Sequence, residues 1–178
     1  MRALAMASAL LAIGCAGMGG PLVHSVEVLT SYAPSTFGAF AAAGPAVEFR
    51  GALPGGATPE QTAAALSLPG WWPQTPFRAV PEGTESQRLV IAFGAAGDAG
   101  ALCRPGPAPA TTPGRLEAAA AYCLGSRVAS LGRLSAAGDL APGDPAFTAA
   151  MRSLLGDIAP TRQPRLNEDG EYCLLPPC

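Results

Sequence analysis

The spacing of apolar and polar residues along the chain predicts a sheet built from short strands. Apolar residues alternate with polar ones around residues 26–32 and 46–50, and a third apolar run covers residues 75–80. Residues 88–93 are apolar on both faces over Leu89–Phe93, which is typical of a strand covered on both sides. We therefore expect this fourth strand to lie at the centre of the sheet.

Helix signals stand between these strands and after them. An alanine-rich segment at residues 35–43 predicts a short helix that ends before Gly44. Thr58, Pro59 and Gln61 have the spacing of a capping box with proline at the first helical position, and Pro69 ends that helix. A last helix is predicted from the N-cap Asp144 to the stop at Pro160.

One segment, residues 114–136, is ambiguous. Leu116, Ala118, Ala120 and Tyr122 alternate as in a strand, whereas alanine favours helix. We predict a strand to about Cys123 and a helix from Ser126.

Together these elements predict one α/β or α+β domain, in which helices flank a small mixed sheet of about four or five strands. The predicted organisation is a leader at residues 1–14, a Gly-rich flexible tether at 15–24, a globular domain at 25–160 and an irregular tail at 161–178. Removing the leader leaves 164 of the 178 residues, which suits a single core.

The leader has the layout of a secretory signal peptide. Arg2 is followed by an almost entirely apolar run to Ile13, which is too short for a membrane-spanning helix. The sequence Leu11-Ala12-Ile13-Gly14-Cys15 resembles the lipobox of bacterial lipoproteins, although the family usually has leucine where this chain has Ala12. The resemblance implies cleavage before Cys15, lipid on its thiol, and a periplasmic protein anchored to a membrane, the outer one if the cell has one. An ordinary secretory signal is the alternative, because Ala12 and Gly14 also fit cleavage after small residues.

Composition excludes several classes of function. The net charge is −2, so no basic field is present for nucleic acid. All eleven basic residues are arginine, which excludes lysine-based catalysis. The single histidine, His24, lies in the predicted tether, and we expect no catalytic residue, no cofactor and no metal site.

Cysteine parity in an exported chain predicts disulfides. With Cys15 assigned to lipid, four cysteines remain, and we favour Cys103 with Cys123 and Cys173 with Cys178 among three possible connectivities. A four-thiolate zinc site is disfavoured because no two cysteines are two to four residues apart.

Trp71 and Trp72 are the candidate binding residues. Two adjacent aromatic side chains on an extended backbone point in opposite directions, so one of them is expected at the surface. An exposed tryptophan can contact a protein or stack on a sugar, whereas a pair buried in the core would be purely structural.

Two further segments lack the residues of the sites they resemble. Gly94–Gly100 follows the central strand but has Ala96 where a dinucleotide-binding loop needs glycine. Asn167–Glu171 lacks the first and last ligands of a calcium loop.

The function expected from these features is a non-enzymatic binding or assembly role in the cell envelope, with an envelope protein or glycan as partner. The alternative is a periplasmic hydrolase that uses carboxylates on cell-wall material, and Asp139 with Asp144 is a candidate acid pair.

Overall fold

The computed structural model describes residues 20–95 and 98–162, which form one mixed sheet and three α-helices. Within these residues, no helix combines the length and apolar character needed to cross a membrane. The elements in chain order are β1 (Leu22–Val28), α1 (Pro34–Ala42), β2 (Ala46–Arg50), α2 (Pro59–Ala64), β3 (Arg78–Ala79), β4 (Gln87–Phe93), β5 (Arg115–Leu124), β6 (Arg127–Ala137) and α3 (Pro145–Ile158).

The sheet has the strand order β1-β6-β5-β4-β2-β3. Strand β2 pairs in parallel with both β3 and β4, whereas the other three pairings are antiparallel. The predicted mixed α/β architecture is therefore correct, but the described sheet has six strands rather than four or five. As predicted, β4 is an inner strand, paired on both sides.

The main core lies between one face of the sheet and helices α1 and α3. Phe37 of α1 packs edge-on against Tyr122 of β5, with ring centroids 5.0 Å apart. Helix α3 lies over β6, where Gly132 makes room for it: a Cβ there would be 2.7 Å from Ile158. The apolar face of α3 consists of the buried residues Phe147, Ala150, Met151, Leu154, Leu155 and Ile158.

The predicted helix starts were confirmed, whereas the predicted end of α2 at Pro69 was wrong, because α2 ends at Ala64. The capping box is present at Thr58. The Thr58 hydroxyl accepts a hydrogen bond from the backbone N–H of Gln61, and the side-chain oxygen of Gln61 accepts one from the backbone N–H of Thr58. Helix α3 starts after Asp144 as predicted, although the Asp144 carboxylate accepts from the Ala141 amide rather than from a helix amide. These helix starts were predictable because capping depends on residues close in sequence.

The helix predicted from Ser126 was wrong, because residues 127–137 form strand β6. Gly125 has φ 66° and opens a two-residue hairpin loop that reverses the chain between β5 and β6. The alanines of β5 lie in the sheet interior, where close packing outweighs their helix propensity.

The predicted boundary between tether and domain also needs correction. Strand β1 begins at Leu22, inside the segment 15–24 assigned to the flexible tether, and pairs with β6. Tyr32 lies beyond this strand and is buried, with its hydroxyl donating to the Pro160 carbonyl at 2.8 Å. The third strand spans two residues, Arg78–Ala79, rather than the predicted 75–80.

Candidate functional site

The two tryptophans occupy a tight turn between α2 and β3. The Trp72 amide donates to the Pro69 carbonyl at 2.9 Å, and the Gln74 side chain donates to the carbonyls of Pro69 and Trp72. This turn fixes the directions of the two indole rings. Trp71 is 62% exposed, whereas Trp72 is partly buried and packs against the main core.

Trp72 has a structural role. Its ring lies 5.1 Å from that of Phe37, and its Nε1 donates to the Ala159 carbonyl at 2.8 Å. The hydrogen bond satisfies a carbonyl just beyond the end of α3. Trp72 therefore links the turn to two helices of the core.

Trp71 borders a surface groove of about 430 Å³. The groove runs along the outer side of α3, and its lining residues are Pro69, Gly70, Trp71, Ala149, Arg152, Ser153, Gly156 and Asp157. Gly156 lets the turn approach the helix, since a Cβ there would be 3.0 Å from the Pro69 ring. An aromatic face, one guanidinium and one carboxyl thus share a concave surface.

The charged side chains of the groove differ in their surroundings. Burial raises the pKa of the Asp157 carboxyl, because removing water disfavours the charged form. Arg152 is exposed, and its Nε donates to the Ser67 hydroxyl at 2.8 Å. The groove can therefore combine stacking on Trp71 with hydrogen bonding to polar groups of a ligand.

The other face of the sheet carries a buried charge cluster that the sequence analysis missed. The Glu48 carboxylate accepts from Arg50 Nε and Nη2 at 2.8 and 2.6 Å, from Arg88 Nε at 2.8 Å and from the Gly83 amide at 3.0 Å. Burial by itself raises the pKa of Glu48, but these hydrogen bonds and the Arg50 charge outweigh it, so the pKa lies below its usual 4.5. Glu48 is therefore a poor proton donor with both oxygens engaged.

The same arginines hold the loop that crosses this face. Arg50 donates to the Arg104 carbonyl at 2.7 Å, and Arg88 donates to the Cys103 carbonyl at 3.2 Å. Cys103 is joined to Cys123 of β5 by the predicted disulfide. Covalent and ionic contacts together fasten residues 98–104 to the sheet, which indicates a structural role for the cluster.

The remaining predicted residues are spread over the chain. The candidate acids Asp139 and Asp144 each accept a hydrogen bond from a loop amide, of Gly114 and Ala141 respectively, at 2.8 Å. His24 lies on β1, where its ring is exposed and contacts the Ser25 hydroxyl. Cys15, Cys173 and Cys178 lie outside the described residues, so their lipidation and pairing stay predictions.

Comparisons with known proteins supply no relative: no family model, no curated protein and no solved structure matches this chain.

Proposed function

We propose that this protein is an exported, lipid-anchored envelope protein whose domain binds another envelope component through the Trp71 groove. The observation that carries the binding role is the exposure of Trp71, 62%, at the edge of a groove of about 430 Å³. Tryptophan is enriched among the residues that dominate binding energy at interfaces. The leader sequence and Cys15 support the location.

Trp71 is the suitable contact residue because the fold does not need its side chain. The neighbouring Trp72 already provides the core contacts and the hydrogen bond to Ala159. The disulfide and the charge cluster stabilise the opposite face of the sheet, away from α3. The domain thus presents one aromatic side chain from a rigid turn, which lowers the entropy cost of binding.

A hydrolase that uses carboxylates is the competing function, and the raised pKa of Asp157 is the observation in its favour. Glycoside hydrolysis usually needs a second carboxylate on the other side of the bond that breaks. Asp157 is the single carboxylate among the described residues that line the groove. The lining therefore favours binding over hydrolysis.

The binding role is tested by affinity purification from detergent-solubilised envelopes. Trp71→Ala should weaken capture of the partner by about thirtyfold or more, since truncation of such a residue costs about 2 kcal/mol or more. Its melting temperature should stay near that of the wild type. Leu22→Ala is the matched control, because Leu22 is equally exposed at 62% but lies on β1. Equal capture by wild type and Trp71→Ala would contradict the proposal.

The anchor is tested through the absence of lysine. A chain without lysine has one primary amine, at its mature N-terminus, and full lipoprotein processing converts that amine into an amide at Cys15. Denatured mature protein should gain no label from an amine-reactive reagent, and its intact mass should show acyl chains. One label with no lipid mass would demonstrate ordinary signal cleavage instead.

A further inference from the structure

The Trp71 groove combines a flat aromatic ring with polar side chains on adjacent turns of α3. Cζ2 of Trp71 lies 3.8 Å from the position that a Cβ on Gly156 would take, so the indole ring stands beside the helix at this residue. The ring is nevertheless accessible, because Trp71 is 62% exposed. Trp71 therefore presents an apolar surface to a ligand that enters the groove.

The polar side chains of the groove lie next to this ring. Arg152 is four positions before Gly156, and Ser153 is four positions before Asp157. Residues with this spacing are neighbours on a helix, with about 5–6 Å between their Cβ atoms. The three polar side chains are exposed, and the Nε of Arg152 also donates to the Ser67 hydroxyl at 2.8 Å, on the segment that leads into the tryptophan turn. A single small ligand can therefore contact the indole ring and these polar groups together.

The lining of the groove is balanced in charge and in hydrogen-bonding groups. The Arg152 guanidinium donates, the Asp157 carboxylate accepts, and the Ser153 hydroxyl does both. Because the two charges offset each other, the groove favours neither an anion nor a cation. Hydroxyl groups also donate and accept, so they complement both charged side chains. The groove thus matches an uncharged molecule that carries several hydroxyl groups.

A pyranose ring has both of the surfaces that this groove requires. Its hydroxyl groups project from the edge of the ring, whereas its C–H bonds form an apolar face. The weakly positive hydrogens of these bonds are attracted to the negative face of an aromatic ring. A protein partner fits less well, because the centre of a protein interface is depleted of charged side chains. Here two charged side chains stand beside Trp71, the one aromatic residue in the described lining.

We propose that the Trp71 groove binds the uncharged sugar rings of a glycan, a ligand class that rests on the binding role proposed above. One sugar ring stacks on Trp71, and its hydroxyl groups form hydrogen bonds with Arg152, Ser153 and Asp157. The groove volume of about 430 Å³ falls within the roughly 300–1,000 Å³ of small-molecule sites, which leaves room for a short oligosaccharide.

The indole N–H signals in an NMR spectrum locate the ligand, since the chain has two tryptophans and therefore two such signals. Mature protein in detergent micelles is titrated with two uncharged glycans, chitotetraose and cellotetraose. The Trp71 signal should shift saturably with at least one of them. The Trp72 signal should stay in place, because its Nε1 donates to the Ala159 carbonyl. Tetragalacturonate, which carries a carboxylate on each ring, should bind more weakly. Saturable binding of tetragalacturonate alone, or no saturable shift with either uncharged glycan at millimolar concentrations, would overturn the proposal.

Variants test the individual contacts by calorimetric titration with the glycan that binds. Arg152→Gln and Asp157→Asn should each weaken binding by about tenfold or more, because a hydrogen bond to a charged group is lost. Trp71→Ala should abolish binding, whereas Trp71→Phe keeps an aromatic ring and should retain part of it. Arg127→Gln is the matched control, since Arg127 is an exposed arginine at the start of β6. An unchanged Trp72 indole signal verifies that each variant is folded. Unchanged affinity in the folded Arg152 and Asp157 variants would refute the assignment.

The capture experiment on envelopes separates the glycan assignment from the binding role on which it rests. If no glycan shifts the Trp71 signal but Trp71→Ala still loses its partner, the groove binds a protein and only the glycan assignment is wrong. If capture is also unchanged, both proposals are wrong.

Discussion

Replacing Glu48 by glutamine should strongly destabilise the domain. The Glu48 side chain is 1% exposed, and those of Arg50 and Arg88 are 7% and 6% exposed, so all three charged groups are shielded from water. Four donors converge on the carboxylate. The NH2 group of a glutamine side chain cannot accept hydrogen bonds, so some of these donors would lose their acceptor. Removing one partner from a buried ion pair typically costs about 3–5 kcal/mol. We expect Glu48→Gln to lower the free energy of unfolding by that amount.

Chemical denaturation in urea measures this change, with the slope of the transition as a check on two-state behaviour. The control is Glu85→Gln, because Glu85 pairs with Arg78 at 3.6 Å while both side chains are about half exposed. An exposed pair of this kind contributes about 0–1 kcal/mol. If Glu48→Gln costs no more than this control, the cluster does not hold the sheet and the loop together.

Three other predictions concern acid stability, the disulfide and a loop glycine. The pKa of Glu48 in the folded protein is lower than its usual 4.5. The stability that the Glu48 carboxylate contributes should therefore be complete well above pH 4.5, and it should be lost as the pH falls through the pKa of the folded state. Urea titrations at several acidic pH values should show this loss, and Glu48→Gln should reduce it. Replacing both Cys103 and Cys123 by alanine, which opens a bridge across 20 positions, should lower stability by about 3 kcal/mol in the same assay, and no change would contradict a bridge. Gly51→Ala should cost more than Gly83→Ala, because both glycines have positive φ but only at Gly51 would a Cβ meet a backbone oxygen, at 2.4 Å. Equal melting temperatures for the two variants would argue against the close contact.

Sequence alone determined the features that depend on neighbouring residues. The capping box at Thr58, the start of α3 after Asp144 and the inner position of β4 all follow from short patterns and match the structure. The pairing of Cys103 with Cys123 also followed from parity and loop composition. The helix starts and the inner strand were accessible because caps and hydrophobic periodicity are local properties.

Tertiary structure decided the rest. Residues 127–137 became a strand because the Gly125 hairpin brings them against β5, and pairing between strands outweighs weak helix propensity. Glu48 and Arg50 alternate with apolar residues as in a solvated strand face, yet they are buried because the loop at residues 98–104 covers them. Which tryptophan is exposed depended on the turn that begins at Pro69. Residues 52–55 and 139–140 line one surface crevice although they are more than 80 positions apart in sequence, because the sheet brings the ends of its strands together.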